Sequence, residues 1–318
     1  MNTLTKTQKI IISAVLMLAG IALGFLHAKS LGVNLFEEQV HAVTVTSEDD
    51  IIAMGNSFHN NVCTLESDIV INDVSSLASS ELPFVGVFDG QGHTITFAGD
   101  VSKSLFGYIG KGGVVKNLNI EVASCDFVDR VGAILALENE GTIINCRVVV
   151  NDVKLPSAGM YAAVVAHNRG VIKNVYTKVS FTNTVDAGST TVKRSIIGGI
   201  AAYNYGEISS SISEISYANF EETVAQNVFY GSVLNTSLGA LYGSNEQGTI
   251  KNCAAIIDKT AYVADCKNNN VFFATSDERN TVFSAEMLFD VLGFDVNRWA
   301  YKNSTLTLIE GEDDEYSK

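Results

Sequence analysis

The sequence has few prolines, few cysteines and few basic residues. Two prolines beside 26 glycines do not fit a disordered or collagen-like chain. Five cysteines, an odd number without Cys-x-x-Cys spacing, argue against a disulfide framework and a metal site. The 21 basic and 35 acidic residues give a formal net charge of −14. Nucleic acids and anionic membrane surfaces require a basic face, so the charge argues against both as partners.

Only one long apolar run is present, and it lies near the N-terminus. Lys6 and Lys9 precede the uncharged residues 10–26, a run short for a membrane span and long for a signal peptide. We predict that residues 1–30 are a signal peptide or a membrane anchor, with the lysines in the cytoplasm and the rest exported. Cleavage is left open, and an uncleaved run would contact the membrane through residues 10–26. Residues 31–42 would be a spacer.

A short phrase recurs through the rest of the chain. A glycine is followed two positions later by an aliphatic residue and two further on by an asparagine or serine. The glycines are Gly113, Gly141, Gly170, Gly206 and Gly248, and the last positions are Asn117, Asn145, Asn174, Ser210 and Asn252. Steps of roughly 28 to 42 residues are typical of solenoids, in which each repeat packs only on its neighbours.

The residues after each asparagine alternate between apolar and polar. Leu118, Ile120 and Val122 illustrate the pattern, which has the period of a strand with one wet face. A second apolar strand precedes each glycine, and no helical pattern separates the two, so βαβ units are excluded. The predicted fold class is all-β, a single parallel β-helix over residues 43–309. A capping helix would open it, after the apolar segment near the N-terminus.

The asparagine positions have a physical explanation in such a coil. A side chain with both donor and acceptor can bond the equivalent residue above and below, which satisfies polar groups that would otherwise be buried unpaired. We therefore predict a structural ladder of Asn117, Asn145, Asn174, Ser210 and Asn252. The glycines would need a positive φ or a close approach of backbones. The alternative is that both residue types are ordinary turn formers.

One stretch resembles a known family. It contains Phe84, Gly86, Phe88, Asp89, Gly90, Gly92, His93, Thr94 and Ile95, then Leu105, Phe106, Gly107, Tyr108 and Ile109, then GGVVKNL. This combination resembles bacterial surface proteins with GLUG-type repeats, and similarity extends over residues 43–309. The resemblance implies a right-handed, pectin-lyase-like β-helix, whereas the family's functions are mostly uncharacterised. Ser210 and the run YAAVVA depart from the family pattern, so repeat boundaries between residues 186 and 248 stay open.

The two ends of the predicted coil carry helix signals. Ser47, followed by three acidic residues, is typical of a helix N-terminus, and this helix would cover the first turn of the coil. Apolar spacing within residues 283–299 predicts a second helix near the far end, where Trp299 would pack over the last turn. Residues 310–318 form an acidic tail.

No motif predicts chemistry. Asp89 and His93 could act as acid and base, but turn formation explains them better. The outward positions Glu121, Arg147, Lys178 and Glu214 offer no adjacent acidic pair. Cys146 and Cys253 should be buried, and the roles of Cys63, Cys125 and Cys266 stay open. Several tyrosines could line one outward face and contact carbohydrate or protein, or could simply cover the turns of the coil: Tyr161, Tyr176, Tyr203, Tyr205, Tyr217, Tyr230 and Tyr242. We expect no catalytic, cofactor-binding or metal-binding residue.

These observations favour a non-enzymatic, adhesin-like or structural module at the cell surface, either anchored in the membrane or secreted. Its partner would be an extracellular glycan, an envelope protein or a host protein. The alternatives are a polysaccharide lyase or glycosidase on a β-helix, and a self-associating filament or surface-layer subunit. Two carboxylates within about 10 Å of each other in a groove, beside a basic residue, would favour the enzyme.

Overall fold

A computed structural model describes most of the chain after residue 40. The described ranges are 41–54, 59–72, 77–99, 101–127, 129–155, 159–183, 195–218, 237–258, 271–302 and 305–309. The chain divides into two compact units, Met1–Val40 and His41–Lys318. The predicted signal or anchor, nearly all of the spacer and the acidic tail lie outside the described residues. In the described ranges, no helix has the length and apolar character needed to cross a membrane.

In the described ranges, parallel strands form three sheets. The first sheet contains β1 (Ala42–Val45), β2 (Val62–Leu65), β3 (Ile69–Ile71), β4 (Val87–Asp89), β5 (Thr94–Phe97), β7 (Val114–Lys116), β8 (Asn119–Val122), β9 (Cys125–Asp126), β12 (Thr142–Leu155), β15 (Val171–Asn183), β18 (Glu207–Ser209), β19 (Ile212–Ala218), β22 (Thr249–Lys251), β23 (Cys253–Ile257) and β24 (Val271–Thr275). The second contains β6 (Phe106–Ile109), β11 (Ala136–Asn139), β14 (Val165–Asn168), β17 (Ala201–Asn204) and β21 (Tyr242–Asn245). The third contains β10 (Val131–Ala133), β13 (Met160–Ala162), β16 (Ile196–Gly198) and β20 (Ser237–Gly239).

Each strand pairs with its counterpart one repeat later. Asn139 of β11 stands opposite Asn168 of β14, which stands opposite Asn204 of β17. Within a repeat the chain passes through the third sheet, then the second, then the first. The predicted mainly β architecture with parallel strands is confirmed.

Alternation of side chains builds the core. In β12 the inward residues Cys146, Val148 and Val150 are at most 1% exposed, and in register they meet Val175, Thr177 and Val179 of β15. Apolar residues that alternate with polar ones bury one face of a strand and leave the other to solvent or to a covering segment. The free thiols of Cys63, Cys125, Cys146 and Cys253 are all buried. Burial raises the pKa of Cys63, Cys146 and Cys253 to about 12, so these thiols are inert, and Cys266 lies outside the described residues.

The repeated phrase marks a corner within the first sheet, and its two residue types have different roles. Asn117, Asn145, Asn174, Ser210 and Asn252 all have left-handed φ between 48° and 53°. Asparagine tolerates this conformation better than most residues. The repeated glycines, in contrast, do not have positive φ. A Cβ on Gly170 would lie 2.1 Å from the carbonyl oxygen of Gly141, so close approach between turns explains this glycine.

A short helix packs beside the first strands of the first sheet. Helix α1 spans Glu48–Met54 and buries Ile51 and Met54 in the core. The Ser47 hydroxyl accepts a hydrogen bond from the backbone N–H of Asp50, as an N-cap does.

The C-terminal segment packs against the outer side of the first sheet. It comprises a 3₁₀ turn (Ser276–Glu278), helix α2 (Arg279–Val282), a π-helical turn (Glu286–Val291) and an antiparallel hairpin of β25 (Trp299–Lys302) and β26 (Thr305–Leu308). Its apolar residues pack against Tyr176, Ile212, Ala254 and Ile256, which point outward from the first sheet. Trp299 is buried in this cluster, which also includes Ala274 of β24, the last strand of the first sheet. We call residues 276–308 the brace.

Candidate functional site

The outer side of the first sheet carries a groove beside the brace. Outward residues of β12, β15, β19 and β23 form three columns. The first holds Arg147, Tyr176, Ile212 and Ala254, the second Val149, Lys178, Glu214 and Ile256, and the third Asn151, Ser180, Ser216 and Asp258. The brace packs on the apolar members of the first two columns. The third column is left as the floor of the groove.

The groove has a volume of about 340 Å³, within the range of small-ligand sites. Small polar residues form its floor, and Ser276 and Arg279 of the brace form one wall. Lys178 and Asp258 are exposed in it and supply a cation and an anion. Neighbouring strands lie ~4.8 Å apart, so a floor that crosses four strands has room for an extended ligand.

A buried carboxylate joins the groove to the brace. Arg279 donates two hydrogen bonds to Glu214, from Nε to Oε2 at 2.8 Å and from Nη2 to Oε1 at 2.6 Å. The Tyr176 hydroxyl donates to Glu214 Oε1 at 2.5 Å. The Arg279 guanidinium also lies 4.1 Å from the ring centre of Phe283. This bidentate, stacked geometry suits arginine and fixes the wall of the groove in place.

The electrostatics of this cluster favour a neutral Tyr176 and a charged Arg279. Burial, followed by the negative charge of Glu214, raises the pKa of the Tyr176 hydroxyl, so Tyr176 stays a neutral donor. The hydrogen bonds to Glu214 raise the pKa of Arg279 despite its partial burial. Both oxygens of Glu214 are therefore occupied by donors. Asp258, which is exposed, is the carboxylate of the groove that a ligand can reach.

A backbone irregularity lies at one end of the groove. Register between β12 and β15 shifts between Val150 and Val153, so β12 carries an extra residue there. Val150 and Asn151 line the groove at this bulge. Bulges re-aim side chains and are frequent beside binding sites.

Sequence reasoning missed the groove, although a signal was present. It found no adjacent acidic pair on the outer positions because Asp258 lies one repeat beyond Glu214 and two residues further along its strand. The apolar residues Ile212, Ala254 and Ile256 at outward positions were the sign that a segment covers this face.

Asp89 and His93 do not form a pair with each other. Asp89 lies 3.2 Å from Lys116 Nζ and accepts hydrogen bonds from Asn117 Nδ2 and the backbone N–H of Gln91, both at 3.0 Å. His93 Nδ1 lies 3.4 Å from Asp68 Oδ1. These contacts show Asp89 as a capping group of the corner in the first sheet.

The predicted ladder residues occupy equivalent corners, and side-chain bonds join some of them. Asn145 Nδ2 donates to Asn117 Oδ1 at 3.2 Å, and Asn117 donates to Asp89. Beyond Asn145 this column is interrupted, because Asn145 Oδ1 and Asn174 Oδ1 have no hydrogen-bond partner in the described structure. Ser210 and Asn252 share the backbone conformation of the corner.

A second asparagine column is continuous, and it was not predicted from the sequence. Each Nδ2 donates to the next Oδ1 at 2.8 Å, from Asn139 to Asn168, to Asn204 and to Asn245. The first three are fully buried. Each ends a strand of the second sheet, and the shared final asparagine of GAILALEN, YAAVVAHN, IGGIAAYN and LGALYGSN was the signal that could have found it.

The tyrosines do not form one outward stripe. Tyr161, Tyr176, Tyr217 and Tyr242 are buried, whereas Tyr203 is half-buried and Tyr205 is 41% exposed. Tyr230 lies outside the described residues. Within the described ranges, no group of three or more metal-ligating side chains converges.

Comparisons with known proteins identify structural neighbours. No family model matches the chain, and no curated protein matches it. The crystal structure of a candidate immunoglobulin A1 protease from Bacteroides ovatus is similar at 15% identity and a TM-score of 0.53, covering 89% of this chain and 94% of that one. A chain described as IgA1 Protease matches at 18% identity and a TM-score of 0.47, covering 76% of this chain, which spans 17% of that one.

These neighbours correct one expectation. The prediction that the protein is not an enzyme was wrong as an exclusion, because a chain described as a candidate protease is among its structural neighbours. At 15% identity the likeness to the Bacteroides ovatus chain shows a shared fold. The chain is thus a mainly β protein of stacked parallel strands, with a groove on its outer side.

Proposed function

We propose that the protein is an exported right-handed parallel β-helix that binds a linear glycan in the groove beside the brace. The observation that carries this proposal is the floor of small polar side chains, Asn151, Ser180, Ser216 and Asp258, along a groove that crosses successive strands. Export rests on the apolar run at residues 10–26, and handedness rests on the resemblance to GLUG-type surface proteins.

The shape of the floor supports a glycan over a peptide. Extended peptides commonly bind by adding a strand to an open sheet edge, whereas this floor is a sheet face whose backbone groups are already paired. Hydroxyl, amide, carboxylate and ammonium groups then remain to bind the ligand. Sugar hydroxyls both donate and accept hydrogen bonds, which matches this mixture.

Glycan-array screening of the full-length protein, followed by calorimetry on the best ligand, tests the proposal. We expect Ser216→Tyr, which fills the groove, to weaken binding at least tenfold. Val70→Tyr is the matched control, because Val70 is an outward strand residue, 54% exposed, outside the groove. Equal affinity of both variants, or no glycan ligand on the array, would overturn the proposal.

A second candidate function is cleavage of the bound glycan. Two carboxylates and two basic residues line the groove, namely Glu214, Asp258, Lys178 and Arg279, and paired carboxylates can supply acid and base chemistry. Both carboxylate oxygens of Glu214 already accept hydrogen bonds from Arg279 and Tyr176. The exposed Asp258 would therefore be the carboxylate that acts on the substrate. Product analysis should then show cleavage by the native protein and none by Asp258→Asn with binding retained. If the glycan stays intact after incubation with native protein, cleavage is refuted and binding remains as the proposed function.

A further inference from the structure

The second sheet has an outer surface that the proposed function does not use. We define the tyrosine face by two columns on this surface. The first column holds Tyr108, Glu138, His167, Tyr203 and Ser244. The second holds the residues that directly follow the four asparagines of the second asparagine column, namely Glu140, Arg169, Tyr205 and Glu246. These residues lie on the second sheet, apart from the residues that line the groove.

Aromatic rings stack across this face. The rings of His167 and Tyr203 are 5.4 Å apart between centroids and inclined by 21°. Tyr203 and Tyr205 follow at 6.0 Å and 20°. Tyr205 is 41% exposed. A fixed array of rings presents binding area at little cost in conformational entropy.

Acidic groups outnumber basic ones on the face. The face carries Glu138, Glu140 and Glu246, whereas its basic side chains are Arg169 and His167, both of which contact Glu138. In the described part of the chain, no ion pair joins Glu140 or Glu246 to a basic residue. Burial, then hydrogen bonding to Glu140, raises the pKa of Tyr108, so its hydroxyl stays a neutral donor beside these carboxylates.

Arg169 shows within the chain how a guanidinium binds here. Its Cζ lies 5.2 Å from the ring centre of Tyr205, and its Nη1 lies 2.6 Å from Glu138 Oε2. Ring and carboxylate thus hold one guanidinium together. Glu140 accepts a hydrogen bond from Tyr108, and Glu246 lies near enough to Tyr203 to raise its pKa, so rings and carboxylates neighbour each other here as well.

We propose that the tyrosine face docks an arginine-rich segment of a partner protein. Guanidinium groups of the partner would lie against the rings of Tyr203 and Tyr205 and pair with Glu140 and Glu246, as Arg169 does with Tyr205 and Glu138. Arginine fits better than lysine, since a planar guanidinium stacks on rings and binds carboxylates through two donors. A polyanion is excluded by the acidic balance of the face.

Fluorescence anisotropy with the full-length protein tests this inference. The probes are a labelled oligoarginine peptide and an oligolysine peptide of equal length, at near-physiological salt. We expect tighter binding of oligoarginine, and a loss of about tenfold in the double variant Tyr203→Ala/Tyr205→Ala, since two cation–π contacts are removed. Glu246→Gln, an exposed change that does not threaten folding, should weaken binding about threefold.

Glu66→Gln is the matched control, because Glu66 is exposed and lies outside the tyrosine face. It alters the net charge by the same amount as Glu246→Gln and should change the affinity less than about twofold. Equal losses in Glu66→Gln and Glu246→Gln would reduce the binding to general charge attraction and overturn the inference. So would equal affinity for the two peptides together with an unaffected tyrosine variant.

Discussion

At the scale of single residues, buried amides hold successive turns together. Asn168 is fully buried, donates to Asn204 and accepts from Asn139 at 2.8 Å in both bonds. Its side chain thereby satisfies two buried partners as well as itself. A buried polar group that loses its partner costs more than the net value of the bond it made.

We predict that Asn168→Ala lowers the free energy of unfolding by about 2–4 kcal/mol, because Asn139 and Asn204 each keep an unsatisfied buried atom. Equilibrium urea unfolding measures this change. Asn280→Ala is the control, since Asn280 is exposed in helix α2. A loss below about 0.5 kcal/mol in Asn168→Ala would show that the column adds little stability.

The contributions of backbone conformation and of side-chain hydrogen bonding to stability can be measured separately at Asn174, where φ is 52°. Its Oδ1 has no partner in the described structure, so conformation should dominate there. We predict that Asn174→Gly is less destabilising than Asn174→Ala by about 1 kcal/mol, since alanine disfavours the left-handed region. Urea unfolding of both variants measures this difference. Equal losses of unfolding free energy in the two variants would contradict a conformational role.

Glu138 makes stability depend on pH. Burial would raise its pKa, but the hydrogen bond from His167 and the charge of Arg169 outweigh burial and lower it. A carboxyl with a lowered folded-state pKa stabilises the fold above its unfolded pKa, and this contribution disappears as pH falls through the folded value. The stability difference between native protein and Glu138→Gln should therefore be largest at neutral pH and shrink below about pH 4. Unfolding curves between these limits measure it, and a constant difference would refute it.

The sequence allowed the strands to be predicted because alternation and repeat length depend only on local spacing. Left-handed corners were not predicted, since Asn117 and Gly113 are both ordinary turn residues in sequence. The groove was missed because it depends on where a distant segment packs. Ile212 and Ile256 show that such packing can leave a local sign, namely apolar residues where a strand should face water.

At the scale of elements, the brace depends on one ion pair with low exposure. The side chain of Glu214 is 9% exposed and that of Arg279 is 21% exposed. Removing one member of such a pair leaves the other charge buried without a partner, which is strongly destabilising. Replacing both with apolar residues can leave the free energy of unfolding nearly unchanged.

We predict that Arg279→Met destabilises the protein by about 3 kcal/mol and that the double variant Glu214→Leu/Arg279→Met recovers part of this loss. A double-mutant cycle of urea unfolding measures the coupling. Additive losses would show that the two side chains act independently. Lys178, which neighbours Glu214 in register on β15, serves as a control through Lys178→Met.

At the scale of the whole molecule, two kinds of contact distribute stability differently. The parallel strands pair with their counterparts one repeat away, so we expect damage to one repeat to affect mainly its neighbours. The brace instead packs on outward residues of β15, β19 and β23 together and reaches β12 through β26. It therefore couples turns that are not adjacent.

Hydrogen–deuterium exchange should separate the two contacts. We predict that Asn168→Ala increases exchange in β11, β14 and β17 and leaves β2 and β4 unchanged. Arg279→Met should increase exchange in β15, β19 and β23 at the same time. Identical exchange patterns in the two variants would argue for a single cooperative unit.

The contact between β26 and β12 also sets how the described chain responds to tension. Force applied at Ile309 acts on the hairpin before it acts on β24. Strand β24 therefore cannot be peeled from the first sheet until the hairpin has detached. Single-molecule stretching would then record one high-force rupture followed by smaller steps, as each unshielded coil unravels in sequence.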